Sequence, residues 1–328
     1  MIKRFESLDA MRGIGILLVV VGHSGIPNIL QWWIWSFHMP LFFFLSGVLF
    51  KRGKTSDFQF IKRKTRSLLL PYFIYSFLII FIQRLFDVKI EWIDNDKLLL
   101  NGWDGLALWF IPVLFLSEVA WLYIDKIKIP RIEMIVLIVA VLIGYYLSIK
   151  NIHLPYKLEV VFTSIFYYGI GALFSDKVKQ YAETNTNAIT ILFCFLALIF
   201  NVTFCFLNPA RFDMCYNVVG SFFLAHLSAL SGVAFAFFSS VLLLNRLLSA
   251  RVIVNSILYF GKNSLIILLT HQLLKVLLAA AFNTFDSHSL FIFLSRQVTF
   301  WILLIVLIEI INKYFYYSLG RTNHSSQI

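Results

Sequence analysis

The chain has 328 residues, of which 60% are hydrophobic and only 14% are charged. Soluble domains are about half apolar and a quarter charged, so this composition excludes an ordinary soluble protein. The formal net charge of +11 could indicate a nucleic-acid-binding protein. In so apolar a chain, membrane topology and attraction to anionic lipid account for the basic residues instead.

Ten hydrophobic runs of membrane-spanning length follow one another along the sequence. They lie near 8–25, 32–50, 68–85, 105–124, 132–149, 160–174, 188–207, 218–244, 263–281 and 293–312. We therefore predict an all-α, polytopic membrane protein with about ten transmembrane helices. The eighth run is long enough to be tilted or broken, since Gly220 and Gly232 lie within it.

The segments between these runs differ in charge. If the N-terminus is cytoplasmic, the inner segments hold most of the 28 lysine and arginine residues, and the outer loop at 86–104 is acidic. Both termini are then cytoplasmic. We expect a single membrane-embedded domain over residues 1–328, with its core at about 7–315 and no appended soluble domain. Any chemistry would then take place inside the helix bundle or at its two mouths.

The first hydrophobic run carries two side chains that are costly in lipid, those of Arg12 and His23. Their separation of eleven positions is close to three helical turns, so both project from one face, roughly 16 Å apart along the axis. Asp9 precedes Arg12 by three residues and could form an ion pair with it. Two interpretations stay open: a catalytic strip, or a positive-inside anchor combined with a histidine that serves in helix packing.

His23 has the chemistry of a general base. Neutral imidazole is the commonest such group, and it could take a proton from a hydroxyl that attacks an acyl carbonyl. The small residues Gly22, Ser24 and Gly25 beside the ring leave room for a substrate. The sequence has no Gly-x-Ser-x-Gly motif and no cysteine next to a histidine, which favours direct transfer over an acyl-enzyme.

The three cysteines, Cys194, Cys205 and Cys215, lack the spacing of metal ligands, so we expect no metal. We interpret them as small buried hydrophobic residues. The alternative is a disulfide between Cys205 and Cys215 near an outer loop.

The most basic stretch of the chain ends in KRKTR, just before the third run. Arg63 and Arg66 are one helical turn apart and can converge on one anion, with Lys64 between them. The stretch fits attraction to anionic lipid, and equally a site for the phosphates of a nucleotide-like ligand that enters from the cytoplasm.

Six further polar or aromatic residues are candidate substrate-binding groups, because several lie in or beside apolar runs where polar groups are costly. They are His38, Trp109, Glu118, Arg211, Asp213 and His271. Pro40, two residues after His38, leaves one backbone carbonyl unpaired, and we interpret the tryptophans at 32–35 as an interface belt. Each candidate taken singly also fits a structural role.

Several of these motifs together resemble the integral-membrane acyltransferase-3 family, whose members O-acetylate the sugars of bacterial surface polysaccharides. Arg12 and His23, separated by ten residues, look like its R-x10-H signature, and RKTR at 63–66 is similar to its RxxR motif. Later landmarks are SFHMPLFFFLSGVLF, LWFIPVLF and GKNSLIILLTHQ, while RFDMCYN resembles the fucose 4-O-acetylase-like branch.

The resemblance implies acetyl-CoA as the acyl donor, entering from the cytoplasm, and a hydroxyl of an O-antigen, capsule or exopolysaccharide sugar as the acceptor. His23 would be the catalytic base or acyl-handling group, with Arg12 and its neighbour Asp9 positioning the donor or stabilising charge. Arg63, Arg66 and Lys64 would bind the phosphates of CoA. The resemblance also implies a multi-pass protein of the bacterial inner membrane.

Two other classes of function compete with this interpretation. A proton-coupled transporter or lipid-linked-sugar flippase could use His23, Glu118 and His271 as a relay. A non-enzymatic membrane scaffold would tolerate replacement of the polar groups within its helices.

Overall fold

The computed structural model describes residues 5–53, 55–86, 107–183, 188–246, 251–282 and 290–321. Across these ranges the regular structure is helical, and the one β-type pairing is an isolated antiparallel bridge between Asp213 and Val218. The predicted all-α fold is therefore confirmed. The acidic loop predicted at 86–104 lies outside the described residues from position 87 onward.

The α-helices follow one another in the order of the hydrophobic runs, with short amphipathic helices between them. They are α1 Glu6–Gly22, α2 Asn28–Trp35, α3 His38–Val48, α4 Asp57–Lys64, α5 Leu70–Phe86, α6 Phe110–Ile124, α7 Pro130–Ile149, α8 Leu158–Leu173, α9 Ser175–Ala182, α10 Ala188–Leu207, α11 Phe222–Arg246, α12 Arg251–Lys262, α13 Ser264–Ala281 and α14 Leu290–Tyr314. A π-helical turn, Thr65–Leu69, joins α4 to α5.

Seven helical stretches of the described chain are long and apolar enough to cross a membrane, and α8 with α9, bent by 60°, would make an eighth. Their outward side chains are mostly isoleucine, leucine, valine and phenylalanine, as expected for surfaces that face lipid. The predicted count of about ten is not confirmed by this measure. The two predicted spans that fall short are the first, which is α1 with 17 residues, and the second.

The second predicted span is two helices rather than one. The chain leaves helical geometry at Phe37, where φ is −143°, and α3 begins at His38. Pro40 is the third residue of α3, where the N–H that proline lacks would have no partner inside the helix. By contrast, the eighth predicted span is one unbroken helix, α11. Gly220 lies before it with φ of +73°, a conformation in which glycine is favoured.

The chain forms two compact units, one of residues 1–57 and 116–264 and the other of residues 58–115 and 265–328. In the first unit, α1, α3, α9 and α11 share a hydrophobic core that places α1 among three other helices. Its members include Leu8, Met11, Leu41, Leu45, Val233 and Phe237. In the second unit, the Tyr75 and Ser318 hydroxyls lie 3.2 Å apart, and the Arg321 guanidinium donates to Asn312 Oδ1 at 2.9 Å.

The N-terminal half of α1 packs directly on α12, a short amphipathic helix that we did not predict as a span. A Cβ added at Gly13 would overlap the Ile257 carbonyl, and one added at Gly261 would overlap the Asp9 carbonyl. Small residues allow two helix backbones to approach this closely, which is the usual way that membrane helices pack. The position of α1 is therefore fixed by backbone contact.

All three cysteines are free thiols, so the alternative Cys205–Cys215 disulfide is not formed. Cys205 and Cys215 are buried, in agreement with their interpretation as small hydrophobic residues.

Candidate active site

His23 is the first residue beyond α1, and its ring is half-buried. Its backbone N–H bonds to the Val19 carbonyl at 3.2 Å, and the next residue, Ser24, bonds back to Val21. Gly25 then adopts φ of +70° and turns the chain away from the helix. The predicted helix thus ends at His23, and the imidazole stands at a helix terminus.

Trp35, the last residue of α2, lies at the centre of a polar and aromatic cluster. Its ring centroid is 5.8 Å from that of His23 and 6.2 Å from that of His38, with both pairs tilted. The Arg211 guanidinium carbon lies 3.9 Å from the Trp35 ring centroid, a close cation–π contact. We call the group made by these residues, together with Gln31 and Asp213, the Trp35 cluster.

Arg211 connects this cluster to the end of α1. It donates to the Gln31 side-chain oxygen at 3.1 Å and to Asp213 Oδ2 at 3.3 Å. Gln31 in turn donates from Nε2 to the Gly22 carbonyl at 3.1 Å. The last carbonyls of a helix have no partner within it, so this bond satisfies one of them. A continuous path of hydrogen bonds therefore runs from Asp213 to the residue before His23.

Asp213 and Arg211 belong to a hairpin formed by residues 208–221. Hydrogen bonds within this segment stabilise it. Asp213 and Val218 exchange two backbone hydrogen bonds, and Asp213 Oδ1 also accepts the Cys215 N–H at 3.0 Å. Burial raises the pKa of Asp213, while Arg211 and the Tyr216 and Cys215 N–H groups act to lower it. Several donors therefore fix the position of the Asp213 side chain, which in turn fixes Arg211.

The same hairpin is also attached to neighbouring helices. The buried Lys157 ammonium, just before α8, donates to the Cys215 carbonyl at 2.8 Å. Asn217 donates to the Gly144 carbonyl of α7 at 3.3 Å. The hairpin is thus tied to α7 and α8 at positions away from Arg211.

The other end of the predicted strip also has the expected partner. Arg12 Nη1 lies 3.7 Å from Asp9 Oδ1, and the two side chains are 30% and 14% exposed. The ion pair that the sequence left open therefore forms. Because α1 is unbroken from Glu6 to Gly22, the predicted separation of roughly 16 Å between Arg12 and His23 along the axis is retained.

His38 joins the Trp35 cluster but is held by its own chain. It is buried at the start of α3, and its Nδ1 bonds to the Ile34 carbonyl at 2.9 Å. Its ring orientation is thereby set by the break between α2 and α3. His38 therefore gives Trp35 a neighbour of fixed orientation.

The basic stretch before the third run lies in the second unit, on α4 and the π-helical turn that follows. Arg63 and Arg66 are exposed, and Lys64 is half-buried. Arg63 and Lys64 both lie over the buried Phe60 ring, at 5.4 Å and 5.7 Å from its centroid. The two arginines are therefore accessible to a soluble anion.

The remaining predicted residues lie on other elements of the fold. Glu118 is buried on α6, in the part of that helix that belongs to the first unit. Trp109 and His271 belong to the second unit, and His271 is fully buried with Nδ1 bonded to the Ile267 carbonyl of its own helix. Of the six candidate substrate-binding residues, His38, Arg211 and Asp213 thus lie in the Trp35 cluster with His23.

Sequence reasoning missed two members of the cluster, Trp35 and Gln31. The tryptophans at 32–35 were interpreted as an interface belt, and only the position of Trp35 three residues before His38 distinguished it. Another histidine was also missed. His226 of α11 is buried, with Nδ1 2.5 Å from the Tyr167 hydroxyl and its ring 4.8 Å from that of Phe222.

A protein-family model described as an acyltransferase domain matches residues 5–311. The chain belongs to the acyltransferase-3 family. This confirms the resemblance based on Arg12, His23 and RKTR, whereas the fucose 4-O-acetylase-like branch stays a prediction. No curated protein and no solved structure matches the chain. The family match and the several apolar helices together support a multi-pass membrane acyltransferase.

Proposed function

We propose that the protein transfers an acetyl group from acetyl-CoA to a hydroxyl of a cell-envelope saccharide, with His23 as the general base. The acceptor would be a sugar of an O-antigen, a capsule or an exopolysaccharide, and the protein would lie in the bacterial inner membrane. The family assignment supports acyl transfer. The observation that carries the role of His23 is its place in the Trp35 cluster, half-buried at the end of α1.

The proposed reaction is a direct transfer. The imidazole of His23 takes the proton of the acceptor hydroxyl while the hydroxyl oxygen attacks the thioester carbonyl carbon. The new C–O bond forms as the C–S bond breaks, and the departing CoA thiolate receives the proton from the imidazolium. No covalent enzyme intermediate is needed, in agreement with the lack of a Gly-x-Ser-x-Gly motif.

The donor would enter from the cytoplasm. The distribution of lysine and arginine favours a cytoplasmic N-terminal end for α1, and Arg12 would then lie near the inner mouth with His23 further across. Arg63 and Arg66 have the exposure that a phosphate site requires, and each planar guanidinium can pair with a phosphate in bidentate fashion. Lys64 would add charge beside them.

The test is acetyl transfer in inside-out membrane vesicles that contain the protein. Labelled acetyl-CoA is added outside, and label is measured in the envelope glycan for the native chain, His23→Ala and His153→Ala. His153 is a matched control because it is an exposed histidine on the loop after α7. Native and His153→Ala vesicles should label the glycan, and His23→Ala vesicles should not. Equal labelling by all three would refute the catalytic role.

The donor site has its own test in the same vesicles. Arg63→Ala combined with Arg66→Ala should raise the KM for acetyl-CoA by about tenfold or more, because charge-assisted hydrogen bonds contribute roughly 1.5–3 kcal/mol each. Lys126→Ala, another basic residue that forms an ion pair with Asp57, serves as the charge control. An unchanged KM in the double variant would show that the phosphates bind elsewhere. Glycan movement without acetyl-CoA would instead support a transporter.

A further inference from the structure

We propose that Arg211 is a positioning residue for His23, and that the 208–221 hairpin acts on the reaction through it. The proposal rests on the proposed function of His23, and it assigns a role to a loop that contributes no group to the chemistry. It follows from a set of contacts in the first unit that converge on the end of α1 from another part of the sequence.

The position of Arg211 is fixed by the hairpin. Its carboxylate partner, Asp213, accepts hydrogen bonds from the hairpin backbone and is buried. Asn208 closes the hairpin at its base, since its side chain bonds to the Val219 carbonyl at 3.0 Å and accepts the Ser221 N–H at 2.8 Å. A guanidinium held this way loses little further freedom when it meets the end of α1.

Arg211 makes two contacts with the residues around the end of α1. One contact is the hydrogen bond to Gln31, which passes to the Gly22 carbonyl and so to the residue that precedes His23. The other is the cation–π contact with Trp35, whose ring neighbours the imidazole. The Arg211 side chain therefore acts on the backbone next to His23 through Gln31, and on the His23 ring through Trp35.

The ring of Trp35 depends on its neighbours for its position beside His23. The Trp35 indole N–H is buried, and no hydrogen-bond acceptor for it is seen among the described residues. Its ring position must therefore come from packing and from Arg211 rather than from a bond of its own. Loss of Arg211 should let the indole move and shift the imidazole by a fraction of an ångström or more.

The experiment compares Arg211→Ala with Asn217→Gly, a matched hairpin control. Asn217 has φ of +51°, which glycine adopts easily, and its side chain bonds to Gly144 rather than to the Trp35 cluster. Arg211→Ala should lower kcat for acetyl transfer about 10- to 100-fold, because misplacement by 1 Å has effects of that size. The KM for acetyl-CoA should not change, and guanidinium ion should restore part of kcat. Asn217→Gly should keep the native kcat.

A second readout does not depend on the reaction that the protein catalyses. The rate at which diethyl pyrocarbonate modifies His23, followed by mass spectrometry, should rise severalfold in Arg211→Ala and return towards the native rate with guanidinium. If Arg211→Ala does not fold, Gln31→Ala breaks the same path and should raise the rate in the same direction. An unchanged modification rate, or equal kcat losses in Arg211→Ala and Asn217→Gly, would overturn the proposal. If the native protein transfers no acetyl group, the proposed function fails while the modification rate still tests the positioning.

Discussion

The two ends of α1 are held in different ways. At the N-terminal end, backbone meets backbone, since Gly13 and Gly261 allow α1 and α12 to come into direct contact. At the C-terminal end, the contacts to Gly22 and His23 come from the side chains of Gln31 and Trp35. Backbone contact allows almost no adjustment, whereas side chains can shift by rotation.

This difference separates stability from chemistry along one helix. Changes at the N-terminal end should act mainly on the amount of folded protein, because they disturb helix packing. Changes at the C-terminal end should act mainly on acyl transfer, because they disturb the surroundings of one imidazole. Variants at both ends of α1, and of one buried histidine elsewhere, test this difference.

The largest expected effect is that of His23→Gln on acyl transfer. Glutamine keeps a polar side chain of similar size but cannot act as a general base, so kcat should fall by about 10²- to 10⁴-fold. The measurement is acetyl transfer per folded molecule in reconstituted vesicles. The melting temperature in detergent should stay close to that of the native protein, since His23 is only half-buried.

His271→Gln is the contrasting variant. His271 is fully buried and bonded to its own helix, so replacement should lower the melting temperature by several degrees, in line with roughly 1–3 kcal/mol for a disturbed buried polar group. Transfer per folded molecule should fall far less than for His23→Gln. A loss of transfer as large as that of His23→Gln, without a change in stability, would favour the relay interpretation.

The next effect is on stability at the N-terminal end. Gly13→Ala would place a methyl group against the Ile257 carbonyl, and α12 would have to move away from α1. Overpacking of this kind costs about 1–3 kcal/mol. Thermal unfolding in detergent should show the loss, while kcat per folded molecule should change by less than a factor of about three. A native melting temperature would show that the two helices are less closely packed than described.

At the opposite end, Gly22→Ala should alter transfer more than stability. Its new methyl group would lie 3.2 Å from Trp35 Nε1, a contact that the indole can relieve by a small shift. We expect kcat to fall by up to about tenfold through displacement of the His23 surroundings, with little change in melting temperature. If Gly13→Ala and Gly22→Ala lower stability and kcat in the same proportion, the two ends do not differ in the way proposed.

The sequence predicted the end of α1 that carries Arg12 better than the end that carries His23. Helical periodicity predicted the spacing of Asp9, Arg12 and His23, because Asp9 and Arg12 lie in α1 and His23 directly follows its last residue. Trp35 and Arg211 could not be connected in this way. They lie 176 positions apart in sequence, and only the fold of the hairpin brings the guanidinium over the indole. The break between α2 and α3 at Phe37 likewise depends on packing, which a hydrophobic run in the sequence does not reveal.

The smallest predicted effect concerns a single hydrogen bond at the N-terminal end. The Ser7 hydroxyl, buried on α1, donates to the Ala182 carbonyl at the end of α9 at 2.9 Å. Ser7→Ala should lower the free energy of unfolding by about 0.5–1.5 kcal/mol and leave kcat unchanged. Ser256→Ala is the control, because that hydroxyl is exposed and donates to the Val252 carbonyl of its own helix. Equal shifts in melting temperature for both variants would mean that the bond between α1 and α9 contributes no more than a local helix contact, and that backbone packing alone fixes this end.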